Sequence, residues 1–544
     1  MKFALCLRVM RPHGACKSSL AVVLLGCLWL VGATNGWAQG KARQRGSVAA
    51  TPNAKEVLQT AIKALGGETA LRGIQALRWE AIRHTHMLEQ SERPAGPWLV
   101  SYEQLSELRD VQTGSLRQTI SSRSILTPNG DWMKGMTMIV AGGAAAMEFN
   151  GRKGPGMAAQ AQEGEESLAL APERILFTAL NAADLRAETS LTLQDVPHHV
   201  LAFTAQGKPH KLFLNAHTGL PTAAEQVSAH PYGMFSVWGD VTTRIYFSTW
   251  MLEAGGLHYP RQWDVQRNGM PYQSLTITQL TINPAIPADS FTIPTNIKDA
   301  YAKFQQKWDD LPLGFRGRGQ IAELAEGVVR IPGSWDVTLV RQTDGIVILE
   351  APISSGYSAK VIAEAEKRFP GVPIKAVVST SDAWPHLAGV REYAARGIPI
   401  YALDVNQPLL EKVMTAPRRT FPDALAQTPK RPQWRIVAGK TVLGEGPNRL
   451  ELYPLRTESG ERMLMAYLPE RRVLYAADLI QRQPDGSFFM PQYLSELMDA
   501  VAREKLTVER AYAMHSAPSA WQEITSAVQK AAVAAPREPE KANK

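Results

Sequence analysis

The strongest constraint on the fold is a change of hydrophobic rhythm near residue 320. Before it, apolar residues tend to alternate over short runs with turn-rich borders, as in Leu77 to His86, Arg117 to Leu126, Val200 to Phe203, Lys211 to Leu214, Thr242 to Phe247 and Ser274 to Ile282. A period of two suits half-buried strands, so this stretch predicts an antiparallel β-rich unit. After it, apolar strands alternate with segments of helical period. Val337 to Val340 and Ile346 to Leu349 flank a turn at Thr343-Asp344-Gly345, and Ser358 to Phe369 carries Ile362, Ala365 and Phe369 on one face. Lys375 to Val378, Leu387 to Arg396 and Ile398 to Leu403 continue as strand, helix, strand. Met463 to Leu468 and Val473 to Ala477 read as a strand pair, followed by a helix marked by Leu494, Leu497, Met498 and Val501 and a strand from Ala511 to Met514. This is the logic of a sheet covered by helices.

A chain of 544 residues is too long for one ordinary core. The expected organisation is a β-rich domain over 50–295, a linker over 296–320, an α/β domain over 321–530 and a frayed tail over 531–544. Ala54 to Leu65 reads as a helix stopped by Gly66-Gly67, and the Ala/Gly/Glu-rich interval Ala141 to Glu166 reads as a mobile loop.

The first 38 residues have the pattern of a signal peptide: Lys2, Arg8, Arg11 and Lys17 without an acid, an apolar run from Leu20 to Val31, and the small-residue exit Gly36-Trp37-Ala38. Cleavage after Ala38 predicts a periplasmic or secreted protein with no later membrane span. Leu24-Leu25-Gly26-Cys27 is the weaker alternative, a lipoprotein site at Cys27. All three cysteines, Cys6, Cys16 and Cys27, lie in this segment, so a mature chain would have neither a disulfide nor a thiolate metal ligand. Losing four positive charges lowers the net charge from +8 to about +4. With no basic patch interleaved with aromatics, nucleic acid is not an expected partner.

The segment Ala376-Val-Val-Ser-Thr-Ser-Asp-Ala-Trp-Pro-His-Leu-Ala-Gly resembles the metal-binding strand, loop and helix of the metallo-β-lactamase superfamily. There a strand ends in Thr, the loop reads His-x-His-x-Asp-His, and a helix with Gly follows. Leu349-Glu-Ala-Pro, Tyr467-Leu-Pro-Glu-Arg-Arg-Val-Leu-Tyr-Ala-Ala-Asp and Met514-His515 match the same frame. The resemblance implies an αββα sandwich and hydrolase ancestry. Aligned through Thr380, Trp384 and Gly389, the four loop ligands fall on Ser381, Ala383, Pro385 and His386, and a further histidine falls on Ser459. The bridging aspartate is Asp478 and the last histidine is His515.

Ala383 has no donor atom, Pro385 has neither a carboxylate nor an N–H, and serine hydroxyls are poor ligands beside imidazole. From Leu313 onward the only histidines are His386 and His515, so a two-metal centre lacks its imidazoles. His386, Asp478 and His515 converge on one metal position in the family pattern, and two imidazoles with a carboxylate can hold one zinc, iron or manganese ion. Asp382 falls on a non-ligand position, and Pro385 restricts any shift of the loop that would bring it inward.

The N-terminal half is similar to the β-rich domain preceding the lactamase-like domain in a set of exported bacterial proteins. Ala64-Leu-Gly-Gly, Trp98, Trp238-Gly-Asp-Val-Thr-Thr-Arg, Trp250, His258-Tyr-Pro and the ending Asn283-Pro to Phe291 carry that similarity, which implies a curved antiparallel sheet or half-barrel. His84 and His86 face one side of a strand and could chelate, though a surface or interface pair is the simpler reading. His198 and His199 point to opposite faces. Phe235, Trp238, Tyr246 and Trp250 read as packing residues.

The sequence thus predicts a pseudoenzyme that binds a small-molecule ligand or a partner, with no metal or a single one. The alternative is a divergent single-metal hydrolase of small esters, lactones or amides using His386, Asp478 and His515. A serine nucleophile at Ser381 or Ser459 lacks a nucleophile-elbow pattern, and carriage of an apolar ligand by the curved sheet rests on fold analogy.

Overall fold

The computed structural model describes residues 53–90, 94–124, 133–316, 319–483 and 485–533. The signal segment, its cysteines and residues 534–544 of the expected tail lie outside the described residues. Residues 531–533 close the helix Trp521–Val533. Among the described residues, no helix is long and apolar enough to cross a membrane.

The alternating first half forms one antiparallel sheet of thirteen strands. Its earliest strand, Ala76–His86, lies mid-sheet against the latest, Met270–Ile282, and register shifts at Glu80/Ala81 where a bulge bends the pair. The helix Ala158–Leu170 touches strands on both arms, Met133–Ala141 and Ala144–Phe149 on one side and Pro221–Ala229 on the other, so the sheet is strongly curved. The helices Ala54–Ala64 and Pro172–Leu180 fill the concave side with Leu58, Ile62, Ile175 and Leu176, packed with Trp79, Phe203 and Trp263. Asn53 caps the first of these by accepting the Lys55 N–H.

That concave side is not purely apolar. Arg109 lies 4.2 Å over the Trp79 ring and is paired with Glu107 and Glu173. Arg267 is paired with Glu163 at 3.0 Å and with Glu166 at 3.3 Å, and His230 with Glu166 at 3.0 Å. A buried guanidinium requires such partners, and they give the interior a charged lining where carriage of an apolar ligand would need hydrocarbon.

The expected loop Ala141 to Glu166 is instead a hairpin, Ala144–Phe149 with Arg152–Pro155, followed by the helix Ala158–Leu170. Its glycines serve the turns, where Gly142, Gly143 and Gly151 have positive φ, while its Ala, Gln and Glu residues favour helix. The expected linker is also packed. It contains the helix Thr295–Phe304 with Ile297 and Tyr301 buried, and Lys360 Nζ donates to the carbonyls of Asp309 (2.7 Å) and Leu311 (2.8 Å).

In the second half, seven strands from Ala322–Ala325 to Trp434–Val437 follow one another in sequence order. They run antiparallel up to Gly345–Leu349 and parallel from there through Ile374–Ser379 and Ile400–Leu403. Six further strands, Thr441–Leu443 to Ser516–Ala520, make a second sheet. Val340, Val347, Leu349 and Val378 of the first pack on Leu452, Leu464, Ala466 and Tyr512 of the second. The other face of the first sheet is covered by the helices Ser355–Arg368, Val390–Arg396 and Gln407–Thr415, and that of the second by Pro491–Arg503 and Trp521–Val533. The layers therefore run helix, sheet, sheet, helix, and each fully buried Val, Leu or Ile contributes about 1.5–3 kcal/mol to holding them together.

Candidate functional site

Two strand ends and one short helix deliver the central residues. The buried strand Ile374–Ser379 runs into the loop Thr380 to Ala383 and then the helix Trp384–Leu387, which carries His386. Pro385 is tolerated because it sits in the first turn, where its missing N–H has no intrahelical partner to lose. The strand Val473–Tyr475 leads to Asp478, and His515 occupies the turn between Arg510–Ala513 and Ser516–Ala520.

His386, Asp478 and His515 meet. His386 Nε2 is 2.7 Å from Asp478 Oδ2, and His515 Nε2 is 3.1 Å from Asp478 Oδ1. One donor atom from each lies within 4.8 Å of the others, and among the described residues this is the group of three or more His, Cys, Asp or Glu that could hold an ion. The far nitrogen of each ring faces an acceptor: His515 Nδ1 bonds the Ser334 carbonyl at 2.7 Å, and His386 Nδ1 is 3.5 Å from Glu350 Oε2. The hydrogen bond at Nδ1 fixes the His515 ring and leaves its Nε2 for the shared point, whereas His386 Nδ1 has only the longer ionic approach to Glu350, without a hydrogen bond.

Glu350 is fully buried, accepts from Thr380 Oγ1 and from the Tyr475 hydroxyl at 2.9 Å, and has φ of 80°. Ala477, next to Asp478, is also left-handed at φ 46°. Non-glycine residues in that region are strained, and strain is commonly retained where a site needs it.

Burial opposes charge on Asp478, but the neighbouring His386 outweighs it and holds the carboxyl well below the usual carboxylate range. The same attraction overcomes burial at His386 and raises its affinity for a proton. Asp382, by contrast, is 3% exposed with Arg462 Nε no closer than 3.9 Å, and burial pushes its carboxyl up to about 7.

The donor set suits one divalent ion. His386 Nε2 and Asp478 Oδ1 are buried without a hydrogen bond of proper geometry, so their close approaches, to Asp478 Oδ2 and to His515 Nε2 respectively, are ionic. Ligands about 2.0–2.2 Å from a tetrahedral ion stand roughly 3.4 Å apart, against 3.1 Å from His515 to Asp478 and 2.7 Å from His386 to Asp478, so the side chains would spread to admit one. Among the described residues no second group of such donors is brought together. Ser381 Oγ accepts the Ala383 N–H at 3.2 Å, and Ser459 donates through N and Oγ to Glu496, both at 2.9 Å. Pro385 offers its carbonyl to Ile353 N at 2.8 Å. Among the described residues neither serine hydroxyl bonds an imidazole, so the serine-nucleophile arrangement does not assemble.

Above Asp478 opens a cleft of about 330 Å³, lined by Ser381, Asp382, Ala383, Ser459 and His515 with Met463, Phe489 and Tyr493. Gln90 and Leu99 from the first half complete its wall. Neither they nor the Glu350 anchor were identified from sequence as site residues. The available signal for Glu350 was an acid ending an otherwise apolar strand. His84 and His86 stay on the curved sheet, with Tyr102 against His84 at 4.8 Å and Trp98 against His86 at 5.8 Å between ring centroids. His198 is buried on Val196 O and Thr222 Oγ1. Phe235 and Trp238 pack edge-on against Trp384, at 5.2 and 5.4 Å, in the core beside the His386 helix. Tyr246 and Trp250 are partly buried against apolar clusters of the curved sheet.

No family model matches the chain, and no curated protein matches it. Among solved structures it is similar to the inverting sec-alkylsulfatase Pisa1 from Pseudomonas sp., at 14% identity over 40% of each chain with a TM-score of 0.30. It is similar to the DIM-1 metallo-β-lactamase at 14% identity over 41% of this chain and 100% of that one, with a TM-score of 0.31. TMB-1 gives 14%, 41%, 100% and 0.30 for the same quantities. The chain thus spans about two fifths of the length of the alkylsulfatase, 40%.

Proposed function

We propose that this chain is an exported member of the metallo-β-lactamase superfamily that holds a single zinc, iron or manganese ion on His386, Asp478 and His515. In this reading it is a divergent one-metal hydrolase of small esters, lactones or amides bound in the cleft above Asp478. The observation that carries the proposal is the convergence of the three donors, with both Nδ1 atoms facing acceptors. A half-buried aspartate between two imidazoles, one of them fully buried, is a costly arrangement unless something uses it. A bound divalent ion would polarise a substrate carbonyl or acidify a water. The chain itself supplies ring orientation through Glu350 and Ser334, apolar contact through Met463 and Phe489, and a proton-accepting carboxyl at Asp382.

The second reading is metal-free ligand binding in the same cleft. It is favoured by the loss of second-ion donors at Ser381, Ala383, Pro385 and Ser459, whose polar groups are satisfied elsewhere. Metal analysis of the purified protein separates the two. The hydrolase reading expects about one ion per chain, lost in His386→Ala and in Asp478→Ala, with a melting temperature lowered by chelator. A metal-free protein indifferent to chelator would leave ligand binding as the function.

A further inference from the structure

A cavity of about 930 Å³ lies between the helix Ala158–Leu170, the turn at Gly207-Lys208 and the segment following the helix Gln407–Thr415. It shares no lining residue with the cleft above Asp478. Its size falls in the range of pockets for small organic ligands, about 300–1,000 Å³.

Three cations line it, Lys208, Lys412 and Arg419, against two acids, Glu165 and Asp240. Of these acids, Asp240 is already engaged. Asp240 accepts the backbone N–H groups of Arg419 at 2.7 Å and Thr420 at 3.2 Å. Burial raises the Glu165 carboxyl above the usual carboxylate range, weakening it as a counter-charge, while the charge of Lys208 acts in the opposite sense. Among the described residues, Lys412 and the Arg419 guanidinium have no ion-pair partner. At the mouth, Phe421 is 41% exposed, with Lys307 Nζ 4.2 Å from its ring centre. Tyr232 and Tyr301 continue the wall inward. Cations without an acidic partner beside a partly exposed ring favour a ligand with two unlike ends: an anion for the charges and an apolar body for the aromatic wall.

We propose that this cavity binds an amphipathic organic anion, its carboxylate, sulfonate or sulfate head at Lys412 and Arg419 and its aromatic or alkyl body against Phe421, Tyr232 and Tyr301. The test uses two fluorescent probes of similar shape, anilinonaphthalene sulfonate and the uncharged N-phenylnaphthylamine, titrated into the whole protein. The sulfonate is expected to bind saturably, at least about tenfold more tightly than the neutral probe, and to weaken as salt rises. Lys412→Glu combined with Arg419→Glu should lower sulfonate affinity about tenfold or more with unchanged circular dichroism, while Asp478→Ala leaves it intact. Should the double variant misfold, Phe421→Ala is expected to weaken the probe, and the salt comparison on the unaltered protein still decides. Equal binding of both probes, absence of saturable sulfonate binding, or loss of binding in Asp478→Ala overturns the proposal.

Discussion

For single residues, His386, Asp478 and His515 were legible because they are the positions at which the resemblance read from the sequence keeps a titratable side chain. Glu350 and Ser334 were not, since an anchoring acceptor can be any carboxylate or carbonyl the fold brings to the far side of a ring. Asp382 yields a pH prediction. Its folded carboxyl titrates near 7 against an ordinary 3.8, so the folded state holds an extra proton between those values and loses stability as pH rises through them. The cost reaches about 4 kcal/mol, and Asp382→Asn should therefore raise the melting temperature at pH 8 and flatten the slope between pH 4 and 7. An unchanged slope would mean that Arg462 already compensates the charge. Glu166 acts in the opposite sense. Despite burial, His230 and Arg267 lower its carboxyl to about 2, so its contribution is present above the ordinary 4.5 and is lost as pH falls from there to about 2. Glu166→Gln should cost about 3 kcal/mol at pH 7 and much less at pH 3 in denaturant titrations.

At the scale of elements, the strands and helices of the second half follow the sequence pattern because each buries one regular face. The interval Ala141 to Glu166 did not follow it. A composition rich in Ala, Gly and Glu suits turns and helix alike, and the helix there is decided by what it covers, with Leu168 and Leu170 buried between the arms of the sheet. The turn at Gly389 shows how tightly the site loop is held. A Cβ there would lie 2.1 Å from Ser358 Oγ and 2.6 Å from the Ser354 carbonyl, while Gly389 N donates to Ala351 O at 2.8 Å. Gly389→Ala should destabilise by about 3 kcal/mol and weaken metal uptake by moving the helix that carries His386. Calorimetry and metal titration check this, and a variant with wild-type stability would show that the loop yields freely.

At the scale of the whole molecule, the halves that differ in rhythm share a core. Leu88, Phe235, Val237, Trp238 and Val241 of the first belong to the same apolar cluster as Ile348, Val361, Trp384 and Leu410 of the second. Asp240 and Val237 are also bonded to Arg419 and Arg418. Residues 321–533 expressed alone should therefore melt well below the full chain and bind metal more weakly, because Trp384 loses the rings that flank it. Equal melting temperatures would show that the shared core contributes little. Periodicity along the chain is local and was enough to specify the kind of element each half builds, and a count of residues showed that the second half brings only two imidazoles, His386 and His515. Folding alone supplied the rest: that Glu350 stands behind His386, and that the first half walls the cleft where the three side chains meet. Those are relations between strand ends and loops far apart in the chain, set by how layers pack and invisible to any pattern along it.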